Sequence, residues 1–201
     1  MIHRLTPRFP SVGDTKAHSR AQRIGHCAAW CVARGASSRS VRDPSYASAV
    51  NDASTAIRPF EDRDEPAVIG VWHRSGRAAY QFLPTWQAFT LERAGEVFRE
   101  VIRPRCNIWV GTRHEHVVAF LAVTGSYIDR MYVDPAEWRK GWGTRLILLA
   151  KTLHPRGLEL HTHLENHAAR QLYEKHGFRA VKFGLSPPPE SAPDVEYHWR
   201  G

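Results

Sequence analysis

The thirteen residues Tyr132–Thr144, Tyr-Val-Asp-Pro-Ala-Glu-Trp-Arg-Lys-Gly-Trp-Gly-Thr, admit few local structures. Before them, Tyr127–Val133 reads as a strand that Asp134-Pro135 ends. After them, Leu146, Leu149, Ala150 and Leu153 form one apolar stripe of a helix spanning Thr144–Leu153. The chain must therefore pass from strand to helix through a basic loop containing Gly141 and Gly143. Glycines let backbone N–H groups approach a ligand without an intervening Cβ. The unpaired N–H groups of a helix start form an anion site, to which Arg139, Lys140 and Arg145 add charge. Taken alone, the segment predicts phosphate or pyrophosphate binding, or a plain strand-to-helix turn. Its spacing is neither GxxxxGK[S/T] nor GxGxxG, so a P-loop nucleotidase and the usual dinucleotide fingerprint are unsupported.

The flanking sequence alternates strands and helices. Ala56–Phe60 reads as an opening strand and Asp62–Val71 as a helix with an acidic first turn. Phe89–Ile102 reads as a second helix, with Thr90 its cap. Asn107–Thr112 and Val117–Val123 read as strands joined by a polar turn. Beyond Pro155 and Gly157, Leu158–Leu164 is a strand, and Asn166 caps a helix that Gly177 stops. Strands at Phe178–Phe183 and Val195–Trp199 flank a Pro-rich loop, Ser186–Pro193. The order implies a mixed α/β domain, with antiparallel strands first and a strand–helix–strand unit later.

Residues 1–55 carry no sustained period and read as a disordered basic extension, so the domain is expected over 56–201. The net charge of +8 divides unevenly: eight Arg/Lys face three Asp up to residue 56, and 20 basic face 17 acidic residues thereafter. Charge of this kind attracts polyanions without identifying one. The Arg/Ser-rich start also has the composition of a transit peptide. No apolar run is long enough to span a bilayer, and no secretory pattern opens the chain, so a cytoplasmic protein with no membrane partner is expected. Three cysteines, Cys27, Cys31 and Cys106, cannot form an even disulfide framework, which fits a reducing compartment.

Further along stands Asn166-His-Ala-Ala169-Arg-Gln-Leu-Tyr173-Glu-Lys-His-Gly177-Phe178. Together, in this order, the two segments resemble the acetyl-CoA-binding core of the GNAT superfamily. Its first motif is Gln/Arg-x-x-Gly-x-Gly/Ala, and its second is Asn-x-x-Ala-x-x-x-Tyr-x-x-x-Gly-Phe. The second matches at every named position; in the first, Trp138 stands where Gln or Arg leads, with Arg139 directly after it. The resemblance is strong over 107–183 and does not reach residues 1–56. It implies the GNAT acyl-CoA N-acyltransferase fold, a mixed, mostly antiparallel central sheet with helices on both faces. It further implies that Met131, Tyr132 and Val133 pair with the pantetheine arm of acetyl-CoA. Arg139, Lys140, Gly141, Trp142, Gly143 and Thr144 would cradle the pyrophosphate. Asn166 would bond the cofactor near its pantetheine portion, and Tyr173 would protonate the departing thiolate.

Acetyl transfer to a primary amine needs such parts: a proton acceptor for the amine, a donor for the oxyanion and an acid for the leaving sulfur. Asp129, in line with Tyr127, Met131 and Val133 by strand alternation, is the candidate base, beside bulk solvent or an ordered water chain. Tyr173 also lies on its helix's apolar stripe, where an aromatic ordinarily belongs to the core, and Asn166 is a sound helix cap without any cofactor. His161, His163 and His167, and the pair Cys27 and Cys31, look like metal ligands only on paper, so no metal is expected. Residues 72–75 and 80–84 would fall near the acceptor, or pack helix against helix. Two other functions remain: a non-catalytic acyl-CoA-binding or regulatory module, and nucleic-acid binding through the basic arm, which lacks a recognisable reading motif. The acceptor amine, on a small molecule or a protein, is not readable. The Pro-rich loop and last strand are candidates for a homodimer contact.

Overall fold

The computed structural model describes residues 54–188 and 190–201. The expectations for the basic extension, Cys27 and Cys31 fall outside these residues. Seven strands form one sheet: β1 Thr55–Pro59, β2 Asn107–Arg113, β3 His116–Thr124, β4 Tyr127–Val133, β5 Gly157–His163, β6 Arg179–Leu185 and β7 Pro193–Arg200. Their spatial order is β1-β2-β3-β4-β5-β7-β6, antiparallel throughout except for β4 beside β5. The mixed, mostly antiparallel sheet expected from the sequence is therefore the observed one, with β7 inserted between β5 and β6.

Five α-helices cover the two faces: α1 Glu65–Ala79, α2 Pro84–Gln87, α3 Leu91–Val97, α4 Trp142–Leu153 and α5 His167–Lys175. One core gathers α1 and α3 against Val110, Phe120 and Ala122, with Tyr132 at its margin. The other gathers α4 and α5 against Ala119, Leu121, Leu158, Leu160 and Tyr197. Alternate residues of β3 thus serve opposite cores, as a strand covered on both faces requires.

Helix α1 runs eight residues past its expected end at Val71. The Trp72-His73-Arg74-Ser75 stretch looks polar, yet Trp72, Ser75 and Gly76 are buried and keep the helical face continuous. Trp86 of α2, a helix too short to leave a periodic signal, lies against this face. The second expected helix is capped as anticipated, Thr90 Oγ1 accepting from the Arg93 N–H at 3.1 Å. After Val97 it loosens into a π turn, Phe98–Ile102, closed by the Arg103 N–H donating to the Phe98 carbonyl. At the entrance to α1, Arg58 makes a two-pronged bond to Asp64 (2.6 and 2.8 Å) that ties β1 to the helix start and holds the Asp64 carboxyl below its usual range.

A Cβ on Gly76 would stand 1.9 Å from the Trp86 ring. Helix propensity favours Ala over Gly by about 1 kcal/mol, but overpacking a rigid indole typically costs 1–3 kcal/mol, and at so short a distance the upper part of that range applies. Gly76→Ala is therefore expected to lower the urea midpoint at unchanged slope, measured by equilibrium unfolding of the full chain.

Candidate active site

The parallel strands β4 and β5 meet at a single rung, Tyr127 beside Glu159, reinforced by the Glu159 N–H donating to the Ser126 carbonyl at 3.0 Å. Beyond it they part, and β4 presents an edge that β5 does not pair. The opening is a cleft of about 860 Å³, lined by Met131, Tyr132 and Val133 on one side and by residues 160–163 of β5 on the other. The loop before α4 borders one end, and Tyr80 and Trp86 border it from the α1 side.

The loop is shaped for backbone donors. Arg139 (φ 64°) and Gly141 (φ 88°) both adopt left-handed conformations, and a Cβ on Gly141 would meet nothing, so its glycine serves backbone freedom. The first helical bond of α4 runs from the Arg145 N–H to the Gly141 carbonyl, leaving the N–H groups of Trp142, Gly143 and Thr144 without a helical acceptor. An anion such as pyrophosphate fits this terminus. Gly143 plays another part: its missing Cβ makes room for Leu172 of α5, which would lie 2.7 Å away. Thr144 Oγ1 lies 3.1 Å from His176 Nε2, and Lys151 donates to the His176 carbonyl at 2.6 Å, so α4 and α5 form one packed pair.

Trp142 divides its backbone from its side chain. Its ring is buried under Arg145, whose guanidinium lies 4.5 Å above it, and its indole N–H donates to Glu137 at 3.2 Å. Only its backbone is placed for a ligand. Trp138, in contrast, is 41% exposed and donates its indole N–H to the Val133 carbonyl at 2.7 Å, fastening the loop to the end of β4. Asp134 links the same corner to α1 by accepting from Arg74, with Nε at 3.0 Å. Glu137 sits beneath the loop. Burial works against its charge, but Lys140, the Trp142 indole and Arg113 together hold its carboxyl below the usual range.

The acidic candidates separate. Ala122 pairs with Arg130 and Val123 with Ile128, so Asp129 is the extra residue of a β-bulge. This corrects the expected alignment of Asp129 with Tyr127, Met131 and Val133, because strand alternation does not pass through a bulge. Asp129 is instead buried in an ion pair with Arg130 at 3.0 Å, and that guanidinium lies over Trp72 on the α1 side. Met131 and Val133 pack toward the α4–α5 core.

Tyr173 and Asn166 both border the cleft. Asn166 Oδ1 caps α5 through the Ala169 N–H at 3.2 Å, and its Nδ2 has no partner among the described residues. Tyr173 packs beside Phe178 and Tyr197, and burial, assisted by the nearby Tyr80, pushes its phenol well above the ordinary tyrosine range. It therefore keeps its proton at neutral pH. His161 and His163 are engaged with carboxylates, Glu196 at 3.5 Å and Glu190 at 3.1 Å, while His167 is exposed on α5. A separate trio, Glu159, Glu196 and His198, is close enough to share a cation, a grouping the sequence did not suggest because strand pairing assembles it. The sequence reading also passed over Glu190, whose partner is fixed by tertiary contact alone.

A sheet opened between parallel strands, with an anion-binding helix start at the opening and a protonated phenol facing it, defines the N-acetyltransferase class that the motifs resemble. The family model described as "Acetyltransferase (GNAT) domain" matches residues 104–180. The peptidyl-lysine N-acetyltransferase YjaB of Salmonella typhimurium is 31% identical over 126 residues, covering 62% of this chain and 83% of that protein. The Escherichia coli protein of the same name is 26% identical over 127 residues, covering 63% and 83%. Apo YjaB from Escherichia coli superposes with a TM-score of 0.62 at 21% identity, covering 73% of this chain and 98% of that one. The Thermoplasma acidophilum PaiA N-acetyltransferase in complex with coenzyme A superposes at 0.59, with 18% identity and coverage of 74% and 99%. The chain belongs to the GNAT acetyltransferase family. No described helix is long and apolar enough to cross a membrane.

Glu137→Gln removes the charge that draws Arg113 and Lys140 under the loop. Since the folded-state carboxyl lies below its unfolded value, its contribution is fully present above the unfolded pKa, about 4.3, and fades as pH falls through the folded one. Urea unfolding should show the variant less stable than wild type at pH 7, with the difference closing in the acid range.

Proposed function

We propose that the chain transfers the acetyl group of acetyl-CoA to a primary amine, and that the acceptor is a lysine side chain of a protein. The observation that carries the first part is the parting of β4 from β5 beside the open N-terminus of α4. The second part is supported by the name of the YjaB relatives, peptidyl-lysine N-acetyltransferases.

In this reading the pyrophosphate is held by the N–H groups of residues 142–144, with Arg139 and Lys140 supplying charge and the loop backbone supplying fit. The pantetheine amides pair with the free edge of β4 at Met131, Tyr132 and Val133, completing bonds that β5 leaves open. Asn166 Nδ2 meets the arm from the α5 side. The thioester then lies between β4 and Tyr173. The amine attacks the carbonyl carbon directly, a strand N–H near Val133 stabilises the oxyanion, and Tyr173 gives its proton to the sulfur as the C–S bond breaks. Asp129, locked to Arg130, holds the bulge that turns β4 away from β5; we assign it to this positioning role instead of proton removal.

Two measurements test the reading. Arg139→Glu should weaken acetyl-CoA binding by at least tenfold in calorimetry, since it replaces an attractive charge with a repulsive one at the anion site; equal affinities would remove the pyrophosphate from this loop. This substitution is more informative than one at Gly143, where any side chain would also strike Leu172. Tyr173→Phe should bind acetyl-CoA normally while kcat falls on the order of 10²-fold, the usual scale for a lost general acid. An unchanged kcat would return Tyr173 to a packing role.

A further inference from the structure

Leu158 and Leu160 of β5 and Val195 and Tyr197 of β7 pack in the α4–α5 core, so strand alternation places Glu159, His161 and His163 with Glu196 on the opposite face of the sheet. Tyr80 and Phe82, from the connection after α1, reach across to His163 with ring separations of 5.0 and 6.3 Å, both edge-on. His163 is only 8% exposed. Its Nε2 lies 3.1 Å from Glu190 Oε2, and its Nδ1 is buried with no hydrogen-bond partner among the described residues.

A buried imidazole nitrogen without a partner is uncommon and calls for an explanation. The carboxylate of Glu190 can only accept, so it fixes the proton on Nε2 and leaves a lone pair on Nδ1. That nitrogen is a proton acceptor awaiting a donor, in the wall of the cleft that Tyr173 also borders. Asp194, directly opposite His163 across the β5–β7 rung and 4% exposed, adds a second acid beside the ring. Phe82 is 42% exposed, so the aromatic pair beside His163 reaches the protein surface.

We infer that the His163–Glu190 dyad takes the proton from the acceptor's ammonium group, and that the chamber under Tyr80 and Phe82 receives a primary amine on an apolar stem. The inference rests on the acetyl-transfer reading above. The stem lies along Tyr80, Phe82 and Trp86, which brings its nitrogen to His163 Nδ1. The ammonium loses one proton to His163 Nδ1, and the imidazolium so formed is held by Glu190. The neutral amine forms the C–N bond to the acetyl carbon, the C–S bond breaks, and the sulfur leaves with the Tyr173 proton. The second nitrogen proton restores Tyr173 as the amide forms, and His163 Nδ1 gives its proton to solvent as the product leaves, which restores the Nε2–H imidazole. One amide, one CoA thiol and one proton result.

The test uses the full chain, acetyl-CoA and Nα-acetyl-lysine methylamide, with kcat measured from about pH 6 to about pH 10, a range that brackets free histidine and lysine. His163→Gln should lower kcat on the order of 10²-fold near neutrality with acetyl-CoA affinity unchanged. That deficit should shrink as rising pH deprotonates the amine without help. Glu190→Gln, a positioning change, should lower kcat less and shift the acidic limb of the profile. In the wild type, ¹H–¹⁵N correlations should show the Nε2–H tautomer of His163 with a bare Nδ1. An active wild type matched by His163→Gln at every pH, or an Nδ1–H tautomer, would overturn the base assignment alone. A wild type that binds acetyl-CoA but leaves this amine unmodified would overturn the lysine acceptor and the base with it. Loss of acetyl-CoA binding in His163→Gln would instead assign the residue to structure.

Discussion

The architecture hangs on a sheet that is interrupted on purpose at one place. Adjacent strands ordinarily satisfy each other's backbone along their whole length, and unpaired polar groups in a protein interior are costly. Here β4 and β5 share one rung and then separate, leaving an internal edge. Neither half could do this alone. The antiparallel partner β3 holds β4 on its other side, and β7 holds β5 along seven residues. Each of the two strands is therefore anchored outward while being released inward, and the bulge at Asp129, pinned by Arg130 over Trp72, adds the local twist that drives them apart.

From that gap the placement of every functional group follows. The loop after β4 must turn back over the opening to start α4, so the helix's positive end borders the cleft. The helix after β5 starts at the opposite lip, which brings Asn166 and Tyr173 to it. The two aromatic residues after α1 close the remaining side. Charge is distributed to match: Arg139 and Lys140 gather at the loop end, whereas Glu190, Asp194 and Glu196 gather at the end assigned to the amine. An anionic donor and a cationic acceptor would thus be drawn to different mouths of one cleft.

Much of this was legible in the residues, because the informative parts are local. A stripe such as Leu146–Leu153, a cap such as Thr90 and a glycine at a left-handed position such as Gly141 each announce themselves within a few residues. The motif residues between 132 and 178 gave the family, and the sheet order agrees with it. What escaped depends on contacts distant in sequence. The length of α1 was hidden because residues 72–75 look polar until Trp72 and Ser75 are seen buried. Asp129 was misaligned because a bulge leaves no trace in alternation. The burial of the Trp142 ring was hidden because the loop around it is glycine-rich and charged. The His163–Glu190 pair joins a strand to a loop that follows β6, and nothing in either segment points to the other.

The junction of α4 with α5 has a mechanical consequence. Gly143 abuts Leu172, Thr144 meets His176, and the Lys151 ammonium, bonded to the His176 carbonyl, rests 4.3 Å above Trp199. The helix whose start is open to an anion and the helix that carries Tyr173 are consequently packed as one unit beside the sheet gap. A phosphate seated on the proposed site would therefore bear on the phenol through direct helix-to-helix contact. Alignment at the reacting end is thereby tied to grip at the far end, and a nucleotide held askew would also present its thioester askew.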